Sequence, residues 1–98
     1  MFSYKIFRQN DDILLAISDS DIIGKTFKED EVEIKVTEDF YSDKLCNDTE
    51  AKDLIKNSTI INAIGENIIN LLLKENMIDE EKILRISGVP HAQIIAIK

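Results

Sequence analysis

The spacing of apolar and polar positions divides the chain into segments with two different periods. From residue 58 to residue 77, apolar residues recur at helical spacing, and a turn of about 100° per residue places them on one half of a wheel. That half consists of Ile60, Ile61, Ile64, Gly65, Ile68, Ile69, Leu71 and Leu72. The pattern predicts a long central helix lying against a sheet. Asn62 and Glu66 fall at the seam of the wheel, where polar groups either line a cleft or end the core.

Three segments before this stretch have strand patterns. Residues 2–8 alternate between apolar and polar, residues 13–17 are apolar throughout as in a central strand, and residues 32–36 alternate strictly. Residues 9–12 are turn formers, which predicts a hairpin between the first two strands. Residues 18–30 are predicted to form a loop.

The remaining segments complete an α+β pattern. A helix is predicted over residues 49–57, because Asn47 and Glu50 have the spacing of a capping box. A single turn near residues 79–81, a strand over 83–86, a turn at Ser87-Gly88 and a closing strand over 92–97 follow. We therefore predict one domain, residues 1–98, with a mostly antiparallel sheet of about five strands (β-β-β-α-α-β-β) packed on the long central helix.

Composition indicates a cytoplasmic protein. A chain of 98 residues is long enough to bury a core without cross-links. The one cysteine, Cys46, excludes a disulfide framework and a cysteine-based zinc site. The first residues lack the apolar run of a secretory signal, and the longest apolar run, residues 13–17, is too short to cross a membrane.

The net charge of −7 is concentrated in one quarter of the chain. Residues 29–53 hold ten acids and three lysines, while nine acids and nine bases balance elsewhere. An acidic chain disfavours non-specific binding of nucleic acid. The ends of the chain lack acids, however, so a local basic face remains an alternative. Its residues would be Lys5, Arg8, Lys25, Lys28, Arg85 and His91, with Tyr4, Phe7 or Phe27 for stacking.

Two short motifs resemble ligand loops without matching them. Gly24-Lys25-Thr26 resembles the end of a P-loop, but position 19 is Asp19 where that motif needs glycine. Asp19-x-Asp21 resembles a calcium loop, but Ile23 occupies a ligand position. We therefore predict no cofactor and no metal, and interpret Asp19 as a turn or cap residue. Lys25 either binds an anion beside backbone amides or is a solvated loop lysine.

The segment before the closing strand contains the only proline and the only histidine. Pro90 fixes its own backbone and extends Val89, so His91 enters the strand with a set direction. Such rigidity suits either a preorganised site or a neatly started strand. Cys46 and His91 are the residue types of a thiol–imidazole pair, but a domain of this size offers little room for a substrate cleft and an oxyanion hole, so no catalytic residue is assigned.

Four motifs in this order resemble an archaeal family of proteins, domain-of-unknown-function family 424. They are Gly24-Lys25-Thr26-Phe27, Phe40-Tyr41, Asn62-x-x-Gly65-Glu66 and Gly88-Val89-Pro90-His91-Ala92-Gln93. The resemblance covers essentially the whole chain, although Ser42-Asp43 stands where many members have glycines. It implies an archaeal cytoplasmic protein and no particular activity. It also implies that Asn62, Gly65, Glu66, Pro90, His91 and Gln93 belong to one feature.

We therefore predict a non-catalytic binding module for a protein or small-molecule partner. Its polar cleft would be formed by Asn62, Glu66, His91 and Gln93, with Lys25 as a further contact. A pairing of Glu66 with His91 would raise the pKa of the imidazole unless burial of the ring prevails. The alternatives are a translation- or RNA-associated factor that uses the basic face, and a small enzyme with Glu66 or His91 as general acid–base.

A homodimer is compatible with each of these functions. Ile69, Leu73 and Met77 extend from the buried half of the predicted helix toward its polar side, where a second copy would cover them.

Overall fold

Strands dominate residues 1–95, which are the residues that the structure, a computed structural model, describes. The strands are β1 (Phe2–Gln9), β2 (Asp12–Asp19), β3 (Thr26–Glu29), β4 (Val32–Lys35), β5 (Lys44–Cys46), β6 (Ile60–Ile64), β7 (Leu84–Ile86) and β8 (Val89–Ile95). The helices are α1 (Glu38–Tyr41), α2 (Asp48–Lys56) and α3 (Glu66–Lys74), with 3-10 turns at Ser20–Ile22 and Glu80–Lys82. Within residues 1–95, no helix has the length and apolar content needed to cross a membrane.

Six strands form the main sheet in the order β5-β1-β2-β6-β8-β7, and β3 pairs with β4 in a separate hairpin. Neighbours in the main sheet are antiparallel except β2 and β6, which run parallel with Ala16 opposite Asn62. A parallel pair needs a long crossover connection. Here the β3–β4 hairpin, α1, β5 and α2 make up that connection.

Each face of the sheet has its own apolar cluster. Helices α2 and α3 pack on one face, the helical face, where Leu15, Ile17, Ile61 and Ala63 meet Ile68 and Leu72. The β3–β4 hairpin and α1 cover part of the other face, the hairpin face, where Ala16 and Ile64 meet Val36 and Tyr41. The central strands are therefore buried on both sides, as the continuous apolar run of residues 13–17 predicted.

The predicted central helix is wrong over its first half. Residues 60–64 form β6, and the helix begins only at Glu66. Along β6, Ile61 and Ala63 point to the helical face and Ile64 to the hairpin face. A strand buried on both sides is apolar at nearly every position, and three residues of β6, Ile60, Ile61 and Ile64, also fall on one half of a helical wheel. Pairing with β2 and β8 on either side decides in favour of the strand.

Local signals predicted the other elements more accurately. The β1–β2 hairpin is confirmed, and so is α2, whose capping box has both bonds between Asn47 and Glu50. The sheet has six strands rather than about five. The predicted loop over residues 18–30 is wrong in part, because it contains the end of β2 and all of β3. The predicted end of the closing strand, Ala96 and Ile97, lies outside the described residues.

The interpretation of Asp19 as a cap residue is confirmed, and the helix that it caps is α3, 48 to 49 residues away in the sequence. Its carboxylate oxygens accept hydrogen bonds from the backbone N–H groups of Asn67 and Ile68, each at 2.9 Å, and so cap the first turn of α3. Burial raises the pKa of Asp19, although these two bonds act in the opposite direction.

Gly65 makes the approach of Asp19 to α3 possible. Its φ is 126°, and a Cβ on this residue would lie 2.5 Å from the Asp19 Cγ. The Gly65 N–H also donates to the Pro90 carbonyl at 3.0 Å. Glycine is therefore needed both for the conformation and for the space.

We expect Gly65→Ala to lower the free energy of unfolding by about 3 kcal/mol, since a clash with a buried carboxylate adds to the backbone strain. Urea unfolding followed by circular dichroism measures this change. Gly88→Ala is the matched control, because Gly88 also has a positive φ (79°) but nothing within 4 Å of an added Cβ. The control is expected to cost about 1 kcal/mol. Equal losses in the two variants would contradict the packing argument.

Candidate functional site

Three side chains from separate elements form a hydrogen-bonded chain on the hairpin face. The Asn62 Oδ1 lies 3.2 Å from the Tyr41 hydroxyl, which donates to it, and 2.9 Å from the His91 Nε2. Because this oxygen is an acceptor, the His91 Nε2 carries the proton of the neutral ring and Nδ1 is left as an acceptor. The chain Tyr41–Asn62–His91 ties α1 to the two strands beneath it.

The register of the sheet brings Asn62 and His91 together. In the β6–β8 pair, Asn62 is opposite Gln93 and Ile64 is opposite His91, so Asn62 and His91 are diagonal neighbours on one face. The Gly65 N–H donates to the Pro90 carbonyl, which fixes the start of β8 against the end of β6. The imidazole therefore has a set position over the sheet.

Aromatic packing brings Tyr41 to this position. Thr37 caps α1 by accepting a hydrogen bond from the Phe40 N–H at 3.3 Å. Phe40 then stacks on Phe7 of β1 at 5.3 Å between ring centroids and meets Tyr41 edge to face at 4.8 Å. The buried Ser3 hydroxyl donates to the Tyr41 carbonyl at 3.0 Å. Burial raises the pKa of Tyr41 to about 12, so the hydroxyl keeps its proton and acts as a donor.

His91 is only half satisfied. Its Nδ1 is the buried side-chain polar atom that lacks a hydrogen-bond partner within residues 1–95. Burial also lowers the pKa of the imidazole, so the ring is neutral at pH 7. An unpaired buried acceptor costs about 1–3 kcal/mol, which a hydrogen-bond donor that reached Nδ1 would recover.

Three of the five predicted site residues, Asn62, His91 and Gln93, lie together on the hairpin face, and the other two do not. Asn62 and His91 are in contact, and Gln93 is exposed beside them. Glu66 is exposed in the first turn of α3, the helix that packs on the helical face, and makes no hydrogen bond or ion pair within residues 1–95. Lys25 is an exposed loop residue whose backbone groups are hydrogen-bonded to Ile22 and Val36, while its side chain has no hydrogen bond to another described residue.

The expected pairing of Glu66 with His91 therefore does not form. The negative charge of Glu66 acts on Asp19 instead, where it is a minor cause of the raised pKa of the Asp19 carboxyl. For His91, burial of the ring lowers the pKa. Glu66 was expected beside His91 because the predicted central helix placed Asn62 and Glu66 one turn apart. In the structure Asn62 belongs to β6 and Glu66 to α3.

Tyr41 is the site residue that sequence reasoning missed. In the sequence it stands out only as part of the Phe40-Tyr41 motif, and its hydroxyl contact with Asn62 spans 21 residues of sequence. No periodicity or local motif indicates such a contact.

Cys46 is not associated with His91. The thiol is buried in the cluster of the helical face, and burial raises its pKa to about 11, which keeps it protonated and unreactive at pH 7. Within residues 1–95, no group of three or more His, Cys, Asp and Glu side chains is arranged to hold a metal ion.

Comparison with known proteins adds a family and a fold. A family model described as a protein of unknown function, DUF424, matches residues 7–97. A crystal structure of an uncharacterized conserved protein from Methanopyrus kandleri is similar over 99% of this chain and 94% of that one, with 25% sequence identity and a TM-score of 0.82. No curated protein matches the chain.

We expect acid to destabilise the protein through His91. Because the pKa of the folded imidazole is below 6.5, the unfolded chain binds a proton first, and the free energy of unfolding falls as the pH drops below about 6.5, by at most about 1.4 kcal/mol per pH unit. Asp19 has the opposite effect at lower pH, because its folded pKa is raised above 3.8. NMR titration of the single imidazole measures the pKa directly, and a value of 6.5 or higher would contradict this assignment.

Replacing Asn62 with an acid tests the contact itself. Asn62→Asp places a carboxylate next to Nε2, so we expect the pKa of His91 to rise above its value in the unchanged protein. Asn70→Asp is the control, since it adds the same charge on the exposed side of α3. The same NMR titration provides the measurement, and equal shifts in both variants would show that the contact does not govern the titration.

Proposed function

The chain belongs to the DUF424 family of proteins of unknown function, and from its geometry we propose that it is a small non-catalytic binding module. The proposed recognition surface is the part of the hairpin face around Asn62, His91 and Gln93. The observation that supports it most strongly is the His91 ring, which is held through Nε2 by Asn62 and has a buried, unpaired Nδ1. Unsatisfied buried polar atoms are rare in folded proteins and call for an explanation.

The polar groups at this surface suit a ligand that forms hydrogen bonds. Asn62 is half-buried, and its amide nitrogen makes no hydrogen bond within residues 1–95, which leaves donors available. Gln93 is exposed and contributes a further donor and acceptor. His91 is neutral at pH 7, since burial lowers its pKa. We therefore propose recognition through amide-like hydrogen bonding rather than through charge.

Glu66 is not part of this surface in our proposal. It lies on the helix that covers the opposite face and has no polar contact with Asn62 or His91 in the described part of the chain. The Lys25 side chain, which is exposed, also has no hydrogen bond to the site residues there. We keep Asn62, His91 and Gln93 and add Tyr41, whose hydroxyl orients the Asn62 amide.

We do not extend the proposal to RNA. Arg85, one residue of the suggested basic face, forms an ion pair with Glu80 at 2.9 Å. Another, Lys5, donates to the Asp39 carbonyl at 3.0 Å and lies over the Phe7 ring, which is one of the aromatics suggested for stacking. These contacts compete with phosphate and base contacts, and the net charge of −7 opposes the approach of a nucleic acid.

A ligand screen observed by protein NMR tests the proposal. With small amides, alcohols and capped dipeptides as probes, we expect saturable shifts of the Asn62, His91 and Gln93 resonances. Gln93→Ala is expected to weaken such binding about fivefold to tenfold, the loss of roughly one hydrogen bond. Gln9→Ala, another exposed glutamine of the main sheet, is the matched control.

Two results would contradict the proposed surface. One is a panel in which no probe shifts these three residues. The other is binding that Gln93→Ala and Gln9→Ala weaken equally. A single-stranded RNA titrated at low salt, with shifts at Lys25 and Lys28, would instead favour the basic face.

A further inference from the structure

The edge of β8 is only half covered by its neighbour. Strand β7 pairs with β8 from Ile86 opposite Val89 to Leu84 opposite His91, and then stops. Beyond His91, β8 continues to Ile95 with β6 on its other side. Within residues 1–95, no strand pairs with residues 93–95 on this side of β8, and we call this segment the open edge.

The main-chain groups of Gln93 and Ile95 point out from this edge. The Pro90 carbonyl accepts a hydrogen bond from Gly65, at the end of β6, so Pro90 faces β6. Backbone groups alternate along a strand, so Ala92 and Ile94 also face β6, while Gln93 and Ile95 face away from it. Within residues 1–95, no loop or turn hydrogen bond reaches the N–H groups of these two residues.

A groove with an apolar floor runs beside this open edge. It has a volume of about 390 Å³, and its lining includes Met77, Ile78 and Ile94. Ile95 lines it as well, and its side chain is 68% exposed. Unpaired strand edges with exposed apolar side chains are surfaces on which another strand adds.

We propose that the open edge of β8, Gln93–Ile95, is the contact between two copies of this chain, which pair edge to edge in antiparallel orientation. The two sheets would then join into one continuous sheet. Such an interface is isologous, so the same surface must be complementary to itself. This inference is independent of the proposed binding surface.

The charges around the groove favour a second copy over an unrelated partner. Asp79 and Lys82 both line it, so a two-fold axis brings the acid of one copy toward the base of the other. Residues 83–98 contain no acid, although the chain carries a net charge of −7. The strand segments that would pair therefore bring no negative charges of their own together.

Sedimentation equilibrium and light scattering test the proposal, from about 1 µM to about 1 mM protein. We expect the unchanged chain to approach twice its monomer mass of 11.2 kDa as the concentration rises. Ile95→Lys introduces a charge at the edge and is expected to raise the dimer dissociation constant at least about tenfold. Leu84→Lys is the matched control, because Leu84 is 64% exposed on the same face but lies outside the open edge.

A second measurement locates the contact on the backbone. Amide hydrogen exchange of Gln93 and Ile95 should slow at least about tenfold between dilute and concentrated protein, because pairing protects these two N–H groups. Circular dichroism verifies that both lysine variants are folded.

Three results would overturn the proposal. The first is a chain that keeps the mass of a monomer over the whole concentration range. The second is Ile95→Lys that dimerises as well as the unchanged chain, or Leu84→Lys that loses as much affinity as Ile95→Lys. The third is exchange at Gln93 and Ile95 that does not depend on concentration. None of these results bears on whether the Asn62–His91 surface binds a ligand, which the NMR screen tests separately.

Discussion

The contact between the Asp19 carboxylate and the first turn of α3 is the constraint on which the rest of the structure depends. Asp19 ends β2, and α3 begins directly after β6, the parallel neighbour of β2. Two hydrogen bonds of 2.9 Å therefore join the end of a central strand to the helix that covers it. Burial of the carboxylate opposes its charged form and raises its pKa, and the N–H groups at the positive end of the helix offset this effect only in part.

This contact also limits where a ligand can bind. The start of a helix that follows a parallel strand is a frequent site for phosphate, because its N–H groups and dipole favour a negative charge. In this chain an internal carboxylate occupies that position, and a Cβ on Gly65 would already be too close to it. An external anion would be repelled there. The available polar groups of the sheet lie on the other face, around Asn62 and His91.

The sequence predicted those features that depend on neighbouring residues. The capping box of α2 lies within four positions, Asn47 to Glu50, and a turn between two strand patterns was sufficient for the β1–β2 hairpin. Strand β6 could not be distinguished from a helix, because its pairing with β2 depends on residues far away in the sequence.

The candidate site could be predicted from the sequence only in part, again because its contacts join residues that are far apart in the sequence. The grouping of Asn62, His91 and Gln93 came from a motif resemblance, and the register of β6 and β8 gives it a physical basis. Glu66 was included because a continuous helix would have kept it beside Asn62. The backbone instead turns at Gly65, with a φ of 126°, and α3 packs on the helical face. Tyr41 enters from α1 across the sheet, a contact that only the assembled hairpin face creates.

Strand β8 joins the two surfaces that we propose. His91, Gln93 and Ile95 alternate with residues that face α3, so their side chains share the hairpin face. The main-chain groups of His91 point toward β7, and those of Gln93 and Ile95 point out from the open edge. These three residues share both directions because side chains and backbone groups each repeat their direction every two residues along a strand. A strand paired at this edge would hold the backbone of Gln93 without covering its side chain. Occupation of the edge and occupation of the face are therefore geometrically compatible, and ordering of β8 by a second copy would stiffen the strand that carries His91.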